Sequence, residues 1–321
     1  MTTTEAFLAA SFPGSTVTSI EPLAGGHSSH TVIARLDGGP VERVVVKAGA
    51  VGRPPVGRHD VLRQARIFEV LGGAEGVKVP QVLASDVGDP NQFAMSFAPG
   101  DCVEPVLDGT GDLDAVTVDA RARAAARMLG ALHLVPVDGG ALAGVEPSAV
   151  EDELARWAAV LRVVDQSLVA GWENLFTELE RTIPRSPRTC IVHGDYRLGN
   201  MLFDGVEPTA IVDWEIWSLT DPRVDLGWTL LFCDSTAFPG VAVPAPGMPT
   251  SADFLEEYES VAGPVDELAW FMAFGCFKTA AIMSHNLKRH REGRYDDPYQ
   301  ERLPPTIAEM IRRGRDAWSH L

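Results

Sequence analysis

Two short polar segments, each set against apolar runs, carry the residue types that a group-transfer reaction needs. The first is His193-Gly194-Asp195-Tyr196-Arg197-Leu198-Gly199-Asn200, and the second is Ile211-Val212-Asp213-Trp214-Glu215. Phosphoryl transfer from a nucleoside triphosphate asks little covalent work of a protein. It needs cations to offset the phosphates and a group that orients the attacking hydroxyl. Asp195 offers a carboxylate for a hydroxyl proton, and Asn200 an amide oxygen for a metal ion. Asp213, at the end of the next apolar run, adds a second metal-binding carboxylate. The H-x-D-x-x-x-x-N spacing is that of a kinase catalytic loop. Asp and Asn also cap ordinary turns, but turn capping does not explain their place between strand-like runs followed by Val-Asp-Trp.

The N-terminal region holds further candidates. Leu23-Ala24-Gly25-Gly26-His27-Ser28-Ser29-His30 lies between two strand-like runs. Gly25 and Gly26 permit a tight turn whose N–H groups can approach phosphate oxygens, with Ser28 beside them. The same pair suits a plain hairpin turn. Val44-Val45-Val46 then ends in Lys47, a cation at a strand end, a position where lysines also serve as edge protection.

The elements that must position these residues fall into two groups. Residues 16–22, 30–36, 42–47, 81–84 and 92–97 are alternating or β-branched runs that predict strands. One helix is predicted over 60–71, where Val61, Leu62, Ala65, Phe68 and Leu71 share a face. Ala98-Pro99-Gly100 then breaks the chain. Beyond it the periodicity predicts helices over 119–134, 151–164, 171–181, 265–290 and 305–320, interrupted by short apolar runs in 189–231. The expectation is an α+β, bilobal chain: a β-rich lobe over 1–97 that binds nucleotide, and a mainly helical lobe over 98–321 that holds the catalytic loop, metal site and substrate region.

Composition narrows the class. The 321 residues are 45% hydrophobic and 22% charged, as expected of a folded chain with a substantial core. The formal charge of −17, with no basic stripe, argues against nucleic acid as a partner. No apolar run is long enough to span a bilayer, and the N-terminus lacks a signal-peptide pattern, so a cytoplasmic protein without membrane partners is expected. The four cysteines are scattered, and most of them read as buried apolar residues rather than a disulfide framework. His27 with His30, and His285 with His290, lack companions at zinc-ligand spacing.

The block from Ile191 to Leu226, with its IVHGDYRLGNMLF, AIVDWE and DPRVDL segments, resembles the aminoglycoside phosphotransferase family of kinase-fold enzymes. Arg58-His59-Asp60-Val61 and residues 258–294 resemble the branch related to kinase-like domains associated with acyl-CoA dehydrogenases. The resemblance implies a bilobal protein-kinase-like fold and a Mg²⁺-dependent phosphotransferase that uses ATP, with GTP left open. It implies Asp195 as catalytic base, His193 as a hydrogen-bonding support of the loop, and Asn200 and Asp213 as metal ligands. Asp225 would brace the loop from below. Lys47 would pair with the nucleotide phosphates, the Gly25–Gly26–Ser28 turn would cover them, and the backbone at Ser96 and Ala98 would bind the base. His133 would be a core or capping histidine.

One position departs from the pattern. The kinase fold holds its phosphate-binding lysine with a glutamate on the first helix, where this chain has Gln64. Glu69 lies about 140° farther round the helix and is no simple replacement, which leaves Glu42 or a loop residue as possible help for Lys47. Only twelve positions separate Asp213 from Asp225, too few for the peptide platform of a protein kinase. The expected acceptor is therefore a small hydroxyl compound, either a hydroxyacyl-type metabolite or an aminoglycoside-like antibiotic. A nucleotide-binding pseudokinase is the alternative, with a metal hydrolase as a more distant one. Monomer and homodimer are equally compatible with the sequence.

Overall fold

A computed structural model of the chain describes residues 3–23, 30–52 and 54–317, apart from the side chain of Arg58. Five antiparallel strands form one sheet: β1 (Thr16–Pro22), β2 (His30–Asp37), β3 (Arg43–Ala48), β4 (Val82–Asp86) and β5 (Gln92–Ser96), in the order β1-β2-β3-β5-β4. The run Val44-Val45-Val46-Lys47 is buried throughout, because both faces of the sheet are covered. Val44 and Val46 pack with Phe7 and Leu8 of α1 (Thr3–Ser11), a helix the sequence pattern did not predict. Val45 faces α2 (Val61–Leu71) and joins the cluster around Phe68, Phe93 and Trp214.

Helix α2 starts where Asp60 accepts a hydrogen bond from the N–H of Leu62 at 3.0 Å. Its buried face comprises Val61, Gln64, Ala65, Ile67, Phe68 and Leu71. Gln64 is thus carried inward by the same 3.6-residue period that buries its apolar neighbours.

The remainder is mainly helical: α3 (Pro105–Asp108), α4 (Ala115–Leu134), α5 (Val150–Leu161), α6 (Trp172–Arg181), α7 (Arg223–Thr229), α8 (Ser251–Ala262), α9 (Leu268–Arg291) and α10 (Pro304–Asp316). Four short strands interrupt it: β6 (Cys190–Val192), β7 (Met201–Asp204), β8 (Glu207–Ile211) and β9 (Ser218–Thr220), paired β6 with β9 and β7 with β8. The apolar runs of 189–231 are therefore two small antiparallel pairs, and β9 was not among the predicted strands. The long helix α9 lies in the core, with Phe271, Phe274 and Phe277 fully buried. Trp214, Trp217, Trp228 and Trp270 are buried as well. Together the sheet-rich N-terminal region and the helical remainder make an α+β, bilobal, kinase-like fold. No described helix is long and apolar enough to cross a membrane.

Candidate active site

Strand β6 delivers the chain to His193, and the β7–β8 hairpin sets the two metal-ligand candidates side by side. Met201 pairs with Ile211, and the N–H of Val212 donates to the Asn200 carbonyl at 2.9 Å. Asn200 and Asp213 therefore flank the open end of one hairpin. Asp213 has φ of 62°, a left-handed conformation that aspartate tolerates better than most residues. The Asn200 amide nitrogen donates to the Asp195 carbonyl at 2.8 Å and to Asp195 Oδ2 at 2.9 Å. That leaves its amide oxygen as the end suited to a cation.

His193 is fully buried, and its two ring nitrogens have opposite roles. The Asp195 N–H donates to Nδ1 at 3.1 Å, while Nε2 donates to the Val212 carbonyl at 2.9 Å. This is a neutral imidazole tying the loop to the segment that carries Asp213. Gly194 has φ of +86°, and a Cβ there would lie 2.7 Å from the Ile216 carbonyl oxygen. Both strain and space demand glycine at this bend.

Beneath the loop, Asp225 accepts the N–H groups of His193 and Gly194, each at 2.8 Å. Its Oδ2 also lies 3.3 Å from Nε2 of His133, whose Nδ1 is 2.8 Å from the Tyr258 hydroxyl. One tautomer satisfies both contacts, with Nε2 donating to the carboxylate and Nδ1 accepting from the hydroxyl. Burial pushes the Asp225 carboxyl up, but the His133 hydrogen bond and the Gly194 N–H outweigh it and hold it below the usual range.

From the sheet, Lys47 donates to Gln64 Oε1 at 2.9 Å and reaches Asp213 Oδ1 at 3.3 Å. The glutamine thus takes the place of the expected glutamate as hydrogen-bond acceptor, and no contact to Glu42 is involved. Its own Nε2 is buried without a hydrogen-bond partner. At the crossing from sheet to helices, the Ser96 N–H is committed to the Gln81 carbonyl at 2.8 Å, so a nucleobase could use only its carbonyl. Ala98 lies two residues on, just before Gly100, where a Cβ would collide with the Phe203 carbonyl. Gly25, Gly26 and Ser28 lie outside the described residues.

Three charged residues near the loop were not singled out by the sequence reading. Arg197 lies with Nε 3.4 Å from Asp195 Oδ1 and Nη1 3.6 Å from Glu104 Oε2. Glu104, fully buried, accepts the Gly199 N–H at 3.1 Å. Burial raises its carboxyl to about 7, against the pull of Arg197 and the Gly199 N–H. Lys278 of α9 donates to the Gly194 carbonyl and sits 4.7 Å from the Trp228 ring centre. Burial pushes its ammonium down. Arg197 was visible inside the loop motif itself, and Lys278 as the one cation within an apolar stretch of α9. Glu104 carried no local signal.

Mg²⁺ takes oxygen ligands and usually only one or two from protein, the rest coming from phosphates and water. The Asn200 amide oxygen and the Asp213 carboxylate fit that demand. Among the described residues no cluster of three or more His, Cys, Asp or Glu side chains is arranged to hold a metal ion.

The geometry has counterparts among known proteins. The phosphotransferase enzyme family matches residues 19–245. Acyl-CoA dehydrogenase family member 10 of Mus musculus is 29% identical over 274 residues, covering 78% of this chain and 25% of the mouse protein. The chain thus spans about a quarter of that relative's length. Among solved structures, a Ralstonia eutropha protein assigned to the aminoglycoside phosphotransferases superposes with a TM-score of 0.77 at 22% identity, covering 98% of this chain and 97% of that one. A thermostable mutant of aminoglycoside phosphotransferase APH(4)-Ia, in a ternary complex with ADP and hygromycin B, gives 0.65 at 15% identity, covering 98% and 99%.

Proposed function

Because the chain belongs to the phosphotransferase enzyme family, we propose that it is a Mg²⁺- and ATP-dependent kinase acting on a hydroxyl group of a small molecule. The observation that carries this reading is the pair of contact chains Gln64–Lys47–Asp213 and Asn200–Asp195, set side by side at the end of one hairpin by the Val212–Asn200 backbone hydrogen bond. Asp195 is the base that orients the acceptor hydroxyl and takes its proton. Lys47 faces the phosphates, held by Gln64 in the free protein. Asn200 and Asp213 would hold Mg²⁺, whose charge offsets that of the phosphates when bound. His193 and Asp225 fix the loop that presents Asp195. Between Asp213 and α7 lies only β9, which leaves no room for a peptide platform and favours a small acceptor.

Two acceptor classes follow from the similarities. The mouse relative is named for acyl-CoA chemistry, which favours a hydroxyacyl-type metabolite. The solved structure with hygromycin B favours an antibiotic. Both classes belong in the substrate screen.

Calorimetric titration of ATP with and without Mg²⁺, alongside Asp213→Asn, tests the nucleotide half of this reading. Mg²⁺-dependent binding that weakens in the variant is expected. An Asp213→Asn protein that binds as wild type would remove Asp213 from the metal site, and binding in no condition would overturn the kinase reading.

A further inference from the structure

Arg197 is held unlike the buried arginines Arg121 and Arg223. Arg121 forks onto Asp101 with hydrogen bonds of 2.6 and 2.9 Å, and Arg223 onto Asp221 at 3.0 and 2.9 Å. The Arg197 guanidinium has five donors, yet its two carboxylate neighbours stand off at 3.4 and 3.6 Å, and neither contact is a hydrogen bond. Asp195 Oδ1, the oxygen that faces Arg197, and Glu104 Oε1, the far oxygen of its carboxyl, are both buried without a hydrogen-bond partner. Space for the guanidinium comes from Gly199, where a Cβ would collide with Arg197 Nη1. An arginine with a purely structural task would fork onto a carboxylate, as the other two do. This one is kept beside the base with its donors unspent and a quarter of its side chain exposed.

We propose that Arg197 is a further catalytic residue, the loop cation that meets the transferring phosphoryl group. This rests on the kinase reading above. In the step, the acceptor oxygen attacks the γ-phosphorus and a new O–P bond forms. The bond from that phosphorus to the bridging oxygen breaks, and its electron pair leaves on the nucleoside diphosphate. The acceptor proton passes to Asp195 Oδ1. A phosphoryl group whose negative charge is spread over three oxygens thereby approaches a carboxylate, and their repulsion falls when a guanidinium sits between them. The five donors, which make no hydrogen bond to the described residues, then have phosphoryl oxygens to fork onto. Until then the guanidinium stands between Asp195 and Glu104.

The test is calorimetric binding of Mg-AMP-PNP and Mg-ADP to wild type, Arg197→Met, Arg197→Lys and Gly199→Ala. Arg197→Met should lose about 10- to 100-fold in AMP-PNP affinity, the value of a charge-assisted contact, with ADP affinity nearly unchanged. Arg197→Lys should recover much of the loss. Gly199→Ala keeps the charge but displaces it, and should imitate Arg197→Met. Equal losses for both nucleotides, or an Arg197→Met protein indistinguishable from wild type, would overturn the role of Arg197 while leaving the kinase reading intact. Wild type binding neither nucleotide would overturn both.

Discussion

Replacing Glu104 by glutamine makes a sharp test of the electrostatics under the catalytic loop. The carboxyl is fully buried, with Oε2 on the Gly199 N–H and Oε1 without a hydrogen-bond partner. Burial raises it most, Arg197 and the Gly199 N–H pull it down, and Asp108 and Asp195 push it up again, to about 7 from the ordinary 4.5. Below pH 4.5 both folded and unfolded chains carry the proton, so this group adds no pH dependence. Between 4.5 and 7 the unfolded chain has lost the proton while the folded chain keeps it. Stability therefore falls as pH rises through this window, by ~1.4 kcal/mol per pH unit and about 3 kcal/mol in all. Glutamine removes that dependence. Urea unfolding of both proteins from pH 4.5 to 8 should show Glu104→Gln gaining on wild type by about 3 kcal/mol as pH rises, with the gain complete just above pH 7. A difference that stays constant with pH, or one in which the variant grows worse, would refute the reasoning. It would mean that the ion pair with Arg197 outweighs burial and that Glu104 is charged throughout.

Two further substitutions probe the supports of the site. Gln64→Leu removes the acceptor for Lys47 but also the buried, unpartnered Nε2, two effects of about 1–3 kcal/mol each and opposite sign. Thermal stability should therefore change little while Mg-ATP affinity falls about 10-fold in calorimetry, and an unchanged affinity would show that Gln64 does not position Lys47. Asp225→Asn turns one of two acceptors into a donor facing the N–H groups of His193 and Gly194. Denaturant melts should show a loss of about 3 kcal/mol or more, and a loss under 1 kcal/mol would deny Asp225 its bracing role.

The site was more legible in the sequence than its supports were. Asp195, Asn200 and Asp213 could be named as candidates because the chemistry proposed for them dictates residue type and spacing within one stretch of chain. Asp225 and His133 came through resemblance, and the hydrogen bonds they make span 32 and 92 positions, beyond any local pattern. Helix α7 was missed because all seven of its residues are buried, including Arg223 and Asp225, so no polar face marked its period. Arg223 is neutralised by Asp221, two residues before it, and by Asp266 and Glu267, which only the fold brings to it. Helix α1 buries just Phe7 and Leu8, too few to register as an amphipathic stripe. Its presence nonetheless explains why Val44 and Val46 are as buried as Val45. The Gln64 departure looked like a lost charge in the sequence. In the fold it is a hydrogen bond of 2.9 Å to Lys47, and the charge of the lysine is met by Asp213 at 3.3 Å instead.

The central claim is that Asp195 activates an acceptor hydroxyl for attack on the γ-phosphate. Its most direct test is to incubate wild type and Asp195→Asn with Mg-ATP and a pool of hydroxylated metabolites, including hydroxyacyl thioesters, and to read new phosphorylated masses. Wild type should yield at least one phosphorylated product, and Asp195→Asn should lose its formation by about 100-fold or more while still binding Mg-ATP. A variant that phosphorylates the same compound at the wild-type rate would contradict the account, and the base would have to be sought elsewhere.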